Sequence, residues 1–73
     1  MEKILIVDDE NDIAELISDI LEDEGYETVI ANDGKTAINL VREENFDLIL
    51  LDVMMPDIDG FTFCKKIRDI FNA

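Results

Sequence analysis

Cysteine is almost missing from this 73-residue sequence, with Cys64 alone, which excludes an intrachain disulfide and a cysteine-based zinc cluster. Basic residues are scarce as well. Six stand against 19 acidic residues, for a formal net charge of -13, so this segment is not expected to bind nucleic acid or an anionic membrane by itself. A cationic partner surface or a bound metal is the natural complement. No apolar run approaches membrane-spanning length, and Ile4 to Val7 is too short a stretch before Asp8 for a signal-peptide core. The expectation is a soluble, cytoplasmic chain. There is no repeat, low-complexity tract or linker, and the length allows one small domain. At that size the folding balance is close to zero even with a good core, although 48% hydrophobic residues favour a globular chain over disorder.

What is present is a pattern that occurs twice. Leu48 to Leu51 is apolar at every position and ends on Asp52; Ile4 to Val7 is apolar throughout and ends on Asp8 and Asp9. Runs without alternation fit strands covered on both faces. If the two strands are parallel neighbours, three aspartates converge at one end of a sheet, and their repulsion calls for positive charge among them. A hard divalent cation with oxygen ligands and retained waters, Mg2+, is the simplest candidate.

Between the runs, Asn11 or Asp12 is a plausible N-cap for a helix whose apolar face is Ile13, Leu16, Ile17, Ile20 and Leu21. Asp12, Glu15, Asp19, Glu22 and Asp23 fall on its solvent side, and Gly25 is a natural stop. Tyr26 to Ala31 reads as a short strand and Asn32-Asp33-Gly34 as a turn. A second helix follows from about Lys35 to Glu44, with Ala37, Ile38 and Val41 inward, and Phe46-Asp47 opens the strand that ends on Asp52. Pro56 shapes the backbone ahead of a last helix, about Gly60 to Phe71, with Phe61, Cys64, Ile67 and Phe71 inward and Phe63 and Ile70 beside that stripe as a second contact surface. Asp57 and Asp59 read as turn and capping residues, and Cys64 as a small core residue. Strand, helix, strand, helix, strand, helix makes a parallel α/β sheet with right-handed crossovers. In the order 2-1-3 the connections leave strands 1 and 3 in opposite directions, and ligands bind at such a switch point, where Asp8, Asp9 and Asp52 fall.

ILIVDDE, NDGKTAI and DLILLDVMMPDIDG resemble, over the whole chain, the receiver domains of two-component response regulators. The resemblance implies that Asp52 accepts a phosphoryl group from a phosphohistidine of a sensor histidine kinase. It also implies an Mg2+ site in which Asp9 ligates directly, Asp8 acts mainly through a bound water, Asp52 ligates, and the backbone carbonyl of Met54 completes the protein's share. Such a chain is a phosphoacceptor in signalling and often in transcription regulation, rather than an enzyme.

The match has a limit. Receivers have about five strand-helix units and residues 1–73 match three, which implies a truncated receiver, (βα)3, half of a flavodoxin-like doubly wound fold. A Ser or Thr after strand 4 and a Lys after strand 5 have no counterpart, and Lys65, Lys66 and Arg68 cannot stand in for the lysine. Phosphotransfer is then expected to be slow and switching impaired or absent. The bare edge of strand 3 is an association site, so the half-fold is expected to be completed as a homodimer through that edge and the Phe61, Phe63, Ile67, Ile70 and Phe71 surface. Two other readings compete. One is an engineered or residual half-fold scaffold that dimerises without chemistry. The other is an aspartyl phosphatase, disfavoured because the second carboxylate such enzymes use would stand at Met54.

Overall fold

Lys3 to Val7 forms β1, and every residue of it from Ile4 onward is buried. The computed structural model describes residues 2–52 and the helix 60–71, with side chains in that helix from 65 to 70. The other elements are α1 (Asn11–Asp23), β2 (Glu27–Ala31), α2 (Gly34–Glu43), β3 (Leu48–Leu51) and α3 (Gly60–Phe71). The sheet is parallel in the order β2-β1-β3. Its pairing is in step, for Val7 stands opposite Ala31 on one side and Leu51 on the other. The three strands therefore end level, and the residues that follow them, Asp8, Asn32 and Asp52, emerge on one rim.

Alternation along β1 sorts the core into two layers. Leu5 and Val7 join Ala31, Ala37, Val41 and Phe46 on the side that α2 and α3 cover, with Ile67 and Ile70 packed against them. Ile4 and Ile6 face Ala14 of α1, with Ile17, Leu21, Ile30 and Leu50 around them. Reversed connections with one crossover hand put α1 and α2 on opposite faces. Ile70 thus packs on the core beside Ile67 instead of forming a second surface. Phe61, Phe63, Cys64 and Phe71 have side chains outside those described.

Helix α1 packs Ile17 and Leu21 on the core as expected but is turned so that the rest of its expected inner face is not covered. Ala14 and Ser18 are its buried residues, while Ile13, Leu16 and Ile20 are 43%, 61% and 56% exposed. Small residues let the helix lie close on β1 and β2, and the polar one is satisfied. The Ser18 hydroxyl pairs with Thr28 Oγ1 at 2.6 Å and donates to Glu22 Oε1 at 2.9 Å. The cap also differs from both candidates. Glu10 is the N-cap and makes no side-chain capping bond; the Asp8 carboxylate accepts from the Glu10 amide at 2.9 Å and turns the chain into the helix there. At the far end Gly25 has φ 95°, its amide bonds Glu22 O, and the Tyr26 amide reaches back to Leu21 O. That is a Schellman stop, with Tyr26 and Leu21 in one apolar cluster.

Helix α2 starts at Gly34, one residue before the expected Lys35, because Asp33 is its N-cap: Oδ1 accepts from the Thr36 amide at 2.7 Å. That bond holds the Asp33 carboxyl below its ordinary value of 3.8. A depressed folded-state value means that the cap's contribution is present above 3.8 and is lost as pH falls through the folded-state value. Asp33→Ala should accordingly melt below the wild type at pH 7. The gap between their thermal transitions should close in acid, and a gap independent of pH would contradict this.

Strand β2 begins at Glu27 rather than Tyr26, and β3 at Leu48 rather than Phe46. Phe46 is buried ahead of the strand, with the Lys3 ammonium 5.4 Å from its ring centre. Lys3 bonds Glu44 and lies 3.4 Å from Glu27, and Glu44 chiefly raises its pKa. Cover on both faces holds for β1 but not for β3, where Leu48 is 51% exposed. Helix α1 lies over β1 and β2, and β3 is an edge of the sheet.

Candidate functional site

The rim where the strands end carries the chemistry. Asp8, Asp9 and Asp52 each offer a carboxylate oxygen, and these atoms lie within 4.8 Å of one another. Strand pairing explains the convergence. The Asp52 amide donates to Val7 O at 2.9 Å, extending the β1–β3 ladder, and the Asp8 amide donates to Ala31 O at 3.0 Å, extending the β1–β2 ladder. Asp8 is 7% exposed, and the Glu10 amide bonds its Oδ1 at 2.9 Å. Asp9 is exposed and Asp52 half-buried, so the three span the passage from solvent to core. Below them lies an open cleft of about 320 Å³ lined by Ile6, Val7, Asp8, Ile17, Leu50, Leu51 and Asp52. Its lining thus combines apolar side chains with two of the three carboxylates.

An all-oxygen donor set of this charge suits a hard divalent ion that keeps part of its water, and Mg2+ fits it better than a metal seeking nitrogen or sulfur. Met54, the expected fourth ligand through its carbonyl, lies outside the described residues. So do Met55, Pro56, Asp57 and Asp59. Lys3 is at the opposite end of β1 and does not offset the charge at this rim.

One participant was not singled out from sequence. The Asn32 side chain donates from Nδ2 to the Asp8 carbonyl at 2.9 Å. In sequence it reads only as part of a turn. Its place directly after Ala31, level with Asp8, is the signal that identifies it once the register is known.

Residues 4–72 match the family described as response regulator receiver domain. The chain belongs to the response regulator receiver family. Its curated relatives include the regulatory protein VanRc of Enterococcus gallinarum, 48% identical over 67 residues, which cover 92% of this chain and 29% of that protein. Among solved structures, the chemotaxis protein CheY4 of Vibrio cholerae is 42% identical with a TM-score of 0.89, over 94% of this chain and 57% of that one. The response regulator TrrA of Thermotoga maritima in complex with Mg2+ and BeF is 42% identical with a TM-score of 0.88, over 94% and 60%. TrrA is also known in complex with the histidine kinase ThkA. This receiver chain thus spans under two thirds of each of these relatives. Among the described residues, no helix is long and apolar enough to cross a membrane.

Proposed function

We propose that this receiver chain takes part in phosphorelay signalling, with Asp52 accepting a phosphoryl group from the phosphohistidine of a sensor histidine kinase. The observation that carries this reading is the meeting of three carboxylates from two adjacent parallel strands within 4.8 Å. Asp8, Asp9, Asp52 and the Met54 carbonyl would hold Mg2+, which when bound neutralises charge on the transferring phosphoryl oxygens. In the transfer, a carboxylate oxygen of Asp52 forms the new bond to phosphorus as the P–N bond to histidine breaks, and the imidazole keeps that electron pair. Asp8, held at its amide and its Oδ1, keeps its carboxylate beside the nucleophile. The test is incubation with acetyl phosphate, followed by peptide mapping by mass spectrometry. Labelling at Asp52 alone, dependent on Mg2+, is expected; labelling elsewhere, or none, refutes the reading. The parent protein's kinase contact and a cytoplasmic location belong to the same proposal.

A second reading, a self-associating half-fold without chemistry, draws on the uncovered apolar surface: Leu48 on the edge strand and Ile13, Leu16 and Ile20 on α1. Under it a second copy pairs with the chain across the β3 edge. Sedimentation at micromolar concentration should show a dimer with or without Mg2+. A compact monomer excludes the second copy.

A further inference from the structure

The carbonyl that Asn32 binds belongs to the peptide joining Asp8 to Asp9, so whatever orients that peptide plane also sets where Asp9 departs from the chain. Every other polar group of Asp8 described above has a partner of its own: its amide bonds Ala31 O and its Oδ1 receives the Glu10 amide. The Asn32 bond, 2.9 Å long and spanning 24 residues, locks the remaining side of the unit. We infer that Asn32 is a positioning residue for the acidic pair, holding the Asp8–Asp9 peptide so that the exposed Asp9 carboxylate meets those of Asp8 and Asp52.

Turn formation does not account for this contact. Asp33 caps α2 through Thr36, so the Asn32 amide is not needed for the cap and reaches a different strand end instead. Nor does burial account for it, because Asn32 is exposed and water would satisfy the carbonyl in its absence. Its removal should therefore cost little folding stability but should free the peptide to rotate. Asp9 must then be ordered when a cation binds, and the loss of preorganisation appears as weaker binding.

The inference rests on the reading of Asp8, Asp9 and Asp52 as Mg2+ ligands, and the experiment separates the two. Mg2+ alone is titrated into wild type and Asn32→Ala by calorimetry. The dissociation constant of the variant should rise about three- to tenfold. Its melting temperature in EDTA should stay within about 2–4 °C of wild type, as for other exposed substitutions. In the metal-free protein the Glu10 amide should exchange faster in the variant, with the β1 amides unchanged. Asn32→Gln, which keeps the donor on a longer stem, should fall between the two in affinity. Asn32→Ser keeps turn chemistry without the reach, and serves if the alanine variant does not fold. Equal Mg2+ affinity in wild type and in the folded variant overturns the inference alone, as does a drop in melting temperature with affinity unchanged. Absence of Mg2+ binding by wild type overturns the ligand reading beneath it.

Discussion

Asp52→Asn should take up no phosphoryl group from acetyl phosphate and should keep its fold. The amide has nearly the shape of the carboxylate but is not a nucleophile, so labelling should fall by more than about a hundredfold. The backbone bond from residue 52 to Val7 O involves no side-chain atom and survives the change. Removing one of three carboxylates whose oxygens lie within 4.8 Å also relieves repulsion. The variant should therefore melt in EDTA no lower than wild type. Retained labelling would place the acceptor elsewhere, and an unfolded variant would make Asp52 a structural residue.

The second large effect is on stability. Leu5 is fully buried at the centre of the middle strand, in the layer that joins the sheet to α2 and α3. Truncation to alanine leaves a cavity with walls from several elements and costs about 3–4 kcal/mol. Stability of about 0.05–0.15 kcal/mol per residue gives a chain of this length about 4–11 kcal/mol, and small domains sit at the low end because they bury less of their surface. Leu5→Ala should consequently be largely unfolded in low urea by circular dichroism. Leu48→Ala, on a side chain 51% exposed, should shift the urea midpoint little. Similar midpoints for the two variants would mean that β1 is not the centre of the core.

How far the sequence could be read depended on how local each interaction is. The alternation of strands and helices, the order 2-1-3 and the convergence of Asp8, Asp9 and Asp52 were legible because each apolar run ends on acid and parallel units cross over with one hand. The Gly25 stop was legible because a left-handed residue suits glycine. The inner face of α1 was legible only at Ile17 and Leu21, which pack on the core as expected. A hydrophobicity pattern weighs Ile13, Leu16 and Ile20 above Ala14 and Ser18, yet close packing selects the small residues, and Thr28 on β2 satisfies the buried hydroxyl.

Local composition by itself determined which segments become strands and helices, and that both acidic tips belong to apolar strands, because periodicity and capping act over a few residues. Tertiary structure alone decided the step between strands, the rotation of α1 and the bond from Asn32 to Asp8. Those depend on which backbone groups stand level across the sheet, a relation between residues far apart in the chain that no short stretch of sequence encodes.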